Sequence, residues 1–286
     1  MRYTGSSTIE WPGMVSVYAV LEPESGVTTT GAHQVGIDFS GHLGLVREIE
    51  GRAARHDAPP GAVYVTGRSP ITWLEVGDPT EALEVYPDLD LVDRLAGRTA
   101  EVRPSFGAPD GVVFAVASRL RSAHLAGAHL AGAHLDAGAG ALTDVEASTL
   151  AHLLVRHLLR RYGNGLGLGT RTGRGPTGEL PPGAVDVVAE YTRAHLADVI
   201  TLDGLAGAVN LSPYHFARSF RVTTGMTPHA FVTEHRLMVA RDRLLRGDAS
   251  VTGIALSVGF SNISHFRRLF RRRYGLTPAG LRGVAR

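Results

Sequence analysis

Five arginines crowd into seven positions near the C-terminus: Arg267, Arg268, Arg271, Arg272 and Arg273. A guanidinium is a permanent cation with several N–H donors and no acceptor, so such a cluster without matching carboxylates suits a polyanion. Ser264, Arg267, Arg268 and Arg271 stand at i, i+3, i+4 and i+7, which is one face of a helix. Phe266, Phe270 and Tyr274 stand four apart on another. An aromatic inner face under an arginine outer face is what a helix lying in the major groove of DNA requires. Upstream, Ala255 is small where two helices must cross, Gly259 stands where a tight turn needs positive φ, and Ser261 is placed to cap the next helix by accepting a backbone N–H.

The pattern occurs twice. Ala206, Asn210, Leu211 and Ser212 match Ala255, Gly259, Phe260 and Ser261 at an offset of 49. His215, Phe216, Arg218, Phe220, Gly225, Thr227 and Pro228 match His265, Phe266, Arg268, Phe270, Gly275, Thr277 and Pro278 at an offset of 50, so one residue is inserted between the two groups. Two copies are too few for a solenoid and read as a duplicated helix-turn-helix unit. The expected helices are 184–197, 202–209, 213–224, 228–246 and the arginine helix. Pro213 after Ser212 is favourable at a first helical position. On the helix at 213–224, Tyr214, Ala217, Arg218 and Arg221 face outward while Phe216 and Phe220 face inward. The helix at 228–246 should set the distance between the two units. Arg272 and Arg273, at the end of the second reading helix, are expected on phosphates.

Residues 184–286 resemble the DNA-binding domain of the AraC/XylS family of bacterial transcription regulators. The resemblance rests on Leu202, Leu205, Ala206, Ser212, His215, Phe216, Phe220 and the Gly225-x-Thr227-Pro228 ending, and on Ile254, Ala255, Gly259, Phe260, Ser264, His265, Phe266, Phe270 and Gly275-x-Thr277-Pro278. The segment RLMVARDRLL between them looks like the family's linker helix. The resemblance implies that Tyr214, Ala217 and Arg218 in the first unit, and Asn262, Ser264, His265, Arg267 and Arg268 in the second, face bases. Arg221, Arg271 and Arg272 complete the DNA-binding set. His215 and His265 either touch phosphate or pack locally. Ala217 departs from the polar residue many relatives carry there, which weakens readout by the first unit or shifts it to a thymine methyl.

Charge is unevenly divided. Residues 1–183 carry 15 Arg against 20 Asp and Glu, net −5, and residues 184–286 carry 14 Arg against 7, net +7. A basic module joined to an acidic one expects a polyanion partner for the former. No basic residue is Lys, which fits a GC-rich coding sequence better than a phosphate-binding adaptation. The absence of Cys excludes disulfides, thiolate nucleophiles and Cys-ligated zinc. No signal peptide and no run of 18 apolar residues is found, so no membrane partner is expected and the location expected is the cytoplasm.

Residues 14–86 read as β, with short Val/Ile/Tyr-rich runs at 15–21, 34–39, 44–50, 62–66, 71–76 and 81–86 separated by Gly/Pro turns. The spacing suits a small barrel or sandwich, and the family resemblance implies a cupin-like sensing barrel. The fold class expected is α+β: an N-terminal cupin-like β-barrel with flanking helices, and an all-α C-terminal domain with two helix-turn-helix modules joined by a linker helix. His33, His42 and His56 are scattered without a His-x-His pair, so no metal or other cofactor is expected. Helices are expected at 89–95, 112–125 and 142–162. The last opens with a Thr143–Glu146 capping box. Leu150, Leu154 and Leu158 stripe it and Leu153 widens the stripe, which reads as a dimerisation helix or as a fully buried one. His124, His129 and His134 recur every five residues, a spacing that shares no helical face and fits a slipped repeat better than a chelate. Residues 163–183, with eight Gly and three Pro, read as a flexible linker between a sensing and dimerising domain, 1–162, and the DNA-binding domain, 184–286.

The function expected is an effector-responsive activator of transcription binding double-stranded DNA as a homodimer, with RNA polymerase and a small-molecule effector as further partners. An enzyme fused to a DNA-binding tail, and a chromosome-binding protein without an effector, are the competing classes.

Overall fold

Strands in the N-terminal half are set by pairing as much as by local pattern. The computed structural model describes residues 5–21, 23–31, 33–49, 51–67, 71–76, 79–96, 102–130, 142–163, 178–247 and 249–284. The chain divides into two compact units, parting between residues 174 and 175.

In the N-terminal unit ten strands form: β1 (Gly5–Trp11), β2 (Met14–Leu21), β3 (Glu24–Thr29), β4 (Val35–Asp38), β5 (His42–Ile49), β6 (Arg52–Ala58), β7 (Ala62–Val65), β8 (Thr72–Val76), β9 (Thr80–Pro87) and β10 (Ser105–Pro109). They make two antiparallel sheets, ordered β1-β2-β9-β4-β7-β10 and β3-β8-β5-β6. Of the expected barrel or sandwich, the described strands form two separate sheets and no closed barrel. The sheets face one another. Tyr64 on the first meets Trp73 on the second edge-on at 5.4 Å, and the Arg47 guanidinium lies 4.2 Å above the Phe106 ring. Three strands escape sequence patterning. β3, β6 and β10 lack an alternating apolar face, and they are strands because a neighbour supplies the ladder.

The opposite face of the larger sheet carries helices. Val35, Ile37, Leu83 and Val85 pack beneath Val113, Val116 and Ala117 of α2 (Gly111–Leu130) and Leu154 of α3 (Asp144–Arg161). α1 (Leu89–Ala96) packs on α3. The Thr143–Glu146 capping box forms as expected. Of the two expectations for α3, the structure shows burial for most of the stripe: Leu150, Leu154 and Leu158 are 4%, 1% and 4% exposed, used on the chain's own core, and Leu153 is only half-buried at the edge of that stripe. α3 lies against α1, α2 and β1, so the stripe that looked two-sided is enclosed by one chain.

Several polar groups inside this unit are paired. Arg121 and Glu81 form a buried ion pair that also takes the Tyr18 hydroxyl at 2.9 Å. Asp110 Oδ1 accepts the N–H groups of Val112 and Val113 at 3.0 Å and opens α2, while Oδ2 accepts from His157 at 2.7 Å and Tyr162 at 2.8 Å. His124, from the five-residue repeat, is a core residue bonded to Ser7 at 2.7 Å and Ser16 at 2.8 Å. The side chain of His129, and all of His134, lie outside the described residues, as do residues 164–177 of the glycine-rich stretch. His42 pairs with Asp38. Among the described residues no cluster of three or more His, Cys, Asp or Glu could hold a metal ion, and no helix is long and apolar enough to cross a membrane.

The C-terminal unit is helical: α4 (Ala184–Ala194), α5 (Leu202–Ala208), α6 (Pro213–Thr224), α7 (Pro228–Arg246), α8 (Val251–Ser257), α9 (Ile263–Tyr274) and α10 (Pro278–Val284). α7 is its spine. Phe231 packs on Phe220 of α6 and on His235, and Val232 is buried too, while Leu237, Ala240 and Leu244 join Ile254, Ala255, Phe266 and Phe270 in the core beneath α8 and α9.

Candidate nucleic-acid interface

The two copies of the motif fold as two helix pairs, α5 with α6 and α8 with α9. Thr201 and Ser250 cap the first helix of each pair by accepting the N–H of Gly204 and Gly253. The turns superpose in their bonding. Leu211 N–H donates to Ala206 O at 3.0 Å and Phe260 N–H to Ala255 O at 2.9 Å, while Asn210 and Gly259 take positive φ of 56° and 83°. The second turn tolerates only glycine, because a Cβ at Gly259 would lie 2.5 Å from Leu196 O and 2.6 Å from Arg236 Nη2. Asn210 is exposed and meets no such obstacle.

The outer helices begin differently from expectation. Ser212 Oγ caps α6, but α9 is capped by Asn262 Oδ1, which accepts the His265 N–H at 2.9 Å. Ser212 therefore corresponds to Asn262, and the inserted residue is Ser261 itself. Asn has a cap preference equal to that of Ser, so composition alone could not choose between neighbours. Both outer helices are 12 residues long and stop at glycines with positive φ, Gly225 at 70° and Gly275 at 72°. Thr227 and Thr277 then accept N–H groups from Ala230 and Gly280. The duplicated G-x-T-P is thus a helix stop followed by the cap and first residue of the next helix.

Each outer helix is held by aromatic stacking. The Phe216 and Phe220 rings lie 5.3 Å apart and Phe220 meets Phe231 at 5.2 Å; Phe266 and Phe270 are 5.4 Å apart and Phe270 meets Tyr274 at 4.5 Å. All four of Phe216, Phe220, Phe266 and Phe270 are fully buried. With one face fixed inward, the opposite face is fixed outward.

The arginines then separate into two groups. Arg236 ties α7 to the second turn and to the end of α4, donating to Gly259 O at 3.1 Å and Asp198 O at 2.6 Å. Arg243 donates to Ser257 O and Oγ at 3.1 and 2.6 Å, Arg246 pairs with Asp242, and Arg282 donates to Ala249 O. Arg273 belongs with these, contrary to the phosphate role expected for it. It is 6% exposed, and its Nε meets Glu234 Oε2 of α7 at 2.7 Å. The other group, Arg218, Arg221, Arg267, Arg271 and Arg272, is exposed and makes no side-chain hydrogen bond or ion pair among the described residues. Arg268 is exposed and donates to His265 Nδ1 at 2.9 Å. Neither α6 nor α9 contains a carboxylate, so these cations face solvent with nothing in their own helix to neutralise them.

The remaining expected residues fall on the same surfaces. Tyr214 is 72% exposed in the first turn of α6, with the His215 ring 5.7 Å away. Ala217 is half-buried, Asn262 and Ser264 are exposed, and His265 is half-buried. Sequence reasoning missed the structural duty of Arg236 and Arg243. Their only signal is position on a helix that must bury both faces.

Residues 205–283 match a family model described as a helix-turn-helix domain. The chain is similar to the regulatory protein PocR of Salmonella typhimurium, 37% identical over 112 residues that make up 39% of this chain and 36% of that protein. It is similar to the bifunctional transcriptional activator/DNA repair enzyme AdaA of Bacillus subtilis, 32% identical over 113 residues, 39% of this chain and 54% of that one. It is similar to the HTH-type transcriptional activator RhaS of Escherichia coli, 36% identical over 98 residues, 34% of this chain and 35% of that one. The chain thus spans between about a third and about a half of the length of these relatives. Among solved structures, a probable AraC family transcriptional regulator from Rhodopseudomonas palustris is 34% identical over 36% of this chain and 97% of that one, with a TM-score of 0.34. The DNA-binding domain of AdpA in complex with a target DNA is 32% identical over 35% of this chain and 90% of that one, with a TM-score of 0.33. Residues 205–283 thus form a helix-turn-helix domain of the AraC/XylS type, similar to those of these regulators.

Proposed function

We infer that this protein is a sequence-specific transcription regulator that binds double-stranded DNA, and not an enzyme. The observation that carries the inference is the sorting of its arginines. Those on α7 and the inner side of α9 are tied to the fold, whereas those on the outer faces of α6 and α9 have no acidic partner in the described chain, Arg268 meeting only His265. Unpaired cations on two helices without acids match the electrostatic demand of a phosphate backbone. α6 and α9 are then the reading helices of two helix-turn-helix modules, spaced by α7 to enter successive major grooves about 34 Å apart. Tyr214, Ala217, Arg218, Asn262, Ser264, His265, Arg267 and Arg268 face bases; Arg221, Arg271 and Arg272 neutralise phosphates. Asn262 Oδ1 already accepts the cap bond, and its amide N–H groups are the donors it turns to DNA. The form of regulation proposed is effector-responsive activation by a cytoplasmic homodimer, with the N-terminal unit sensing a small molecule and pairing the subunits, and with RNA polymerase as a contact.

Selection of bound fragments from random DNA, followed by footprinting, tests the function. A preferred site with two protected major-groove segments one helical turn apart is expected. Equal affinity for every sequence would overturn it in favour of a chromosome-packaging role.

A further inference from the structure

The second helix pair holds a His–Arg side-chain contact that the first lacks, although a cap fixes the His backbone in both. Asn262 Oδ1 fixes the His265 backbone at 2.9 Å, and one turn on, His265 Nδ1 lies 2.9 Å from Arg268 Nη2. In the first pair His215 and Arg218 occupy the same positions. There the His215 ring lies against Tyr214 at 5.7 Å, and Arg218 makes no bond among the described residues. We propose that His265 is a positioning residue for Arg268, and that the two form one donor unit that selects guanine, which makes α9 the more discriminating of the two reading helices. The proposal rests on the DNA-reading function above.

The chemistry follows from which atom accepts. A guanidinium has donors only, so the Nδ1 that receives its N–H carries no proton and the ring proton sits on Nε2. With Nδ1 occupied, the pair offers the base no acceptor, and the donors that reach it are the remaining N–H groups of Arg268. In the major groove, guanine offers two adjacent acceptors, N7 and O6. Adenine and cytosine each place an amino donor there, which would face the pair donor to donor. Tethering Nη2 also restricts a long side chain before DNA arrives, so less rotamer freedom is lost on binding than at Arg218. The same residue types at the same register thus give a preset reader on α9 and an adaptable one on α6.

A double-mutant cycle in the full-length chain tests this, on the site selected by the wild type and on all single-base variants of it. Arg268→Ala should weaken binding about 5- to 150-fold, the span of one bidentate base contact. His265→Ala should weaken it about 3- to 10-fold and relax the same base position, at which guanine is preferred. In the Arg268→Ala background, His265→Ala should change affinity less than about twofold. His265→Gln, whose amide oxygen can accept from Arg268, should recover most of the loss. His215→Ala and Arg218→Ala should multiply as independent changes. Multiplicative losses at 265 and 268, or relaxation at two different base positions, would overturn the pairing while leaving the DNA-reading function intact. A wild type with no preferred site would overturn that function itself.

Discussion

Arg272 and Arg273 are neighbours in sequence with opposite duties, and replacing each by Ala should separate folding from binding. Arg273 is 6% exposed and meets Glu234 of α7 at 2.7 Å. Its loss strands a carboxylate that is 19% exposed, so the partner is partly rehydrated and the cost falls below the 3–5 kcal/mol of a fully enclosed pair. A loss of about 2–3 kcal/mol is expected, in line with a charged hydrogen bond removed on one side. For a helical unit of this size that lowers the melting temperature by roughly 10–20 °C. Arg272 is exposed without a partner among the described residues, so Arg272→Ala should change stability by less than about 0.5 kcal/mol. Its effect belongs to DNA: affinity should fall alike on all sequences, and the slope of log K against log salt should shrink by about one. Both Trp residues, Trp11 and Trp73, lie in the N-terminal unit. Trp fluorescence therefore follows the N-terminal unit, and the part of the helical ellipticity melt that it does not accompany follows the C-terminal unit. An Arg273→Ala protein of unchanged ellipticity melt but reduced salt slope would refute the assignment.

Three further outcomes are expected. Gly259→Ala should destabilise the C-terminal unit by about 3–5 kcal/mol, from positive φ plus displacement of the Arg236 guanidinium, whereas Asn210→Gly should stay within about 1 kcal/mol of wild type in the same denaturant titration. Burial lowers the His124 imidazole to about 4, because the charged form would be desolvated. Stability from this group is therefore complete above its unfolded value near 6.5 and is lost as pH falls from there toward 4, about 3 kcal/mol in all. Trp11, whose indole N–H donates to Ser16 beside His124, is a local reporter; fluorescence-monitored unfolding of His124→Gln should show a flatter pH dependence across that window, and an unchanged slope would contradict it. Leu154→Ala should cost the N-terminal unit about 2–5 kcal/mol without changing the sedimentation behaviour of the folded protein. Loss of self-association with unchanged stability would restore α3 as an interface helix.

Local chemistry determined most of the helical unit. α6 and α7 begin where Ser212 and Thr227 offer a hydroxyl and a following proline, and α6 stops where Gly225 can take positive φ. These signals act over three or four residues, so they are legible in sequence, as are the aromatic stripes and the Thr143 capping box. Residues whose role depends on what lies across from them were not legible. Nothing in RRR at 271–273 says that the third side chain turns inward to Glu234, because the acid is supplied by another helix. Ser261 and Asn262 are equivalent caps until the turn geometry chooses one. β3, β6 and β10 lack an alternating apolar pattern, and a strand bonded to a neighbour needs none. α3 carries apolar residues around much of its girth, and only the placement of α1, α2 and β1 decides that one chain covers them. The sequence by itself settled which residues could contact DNA, since guanidinium chemistry and helical periodicity are local; the tertiary structure decided which of them remain available, since neutralising or burying a charge takes a partner distant along the chain.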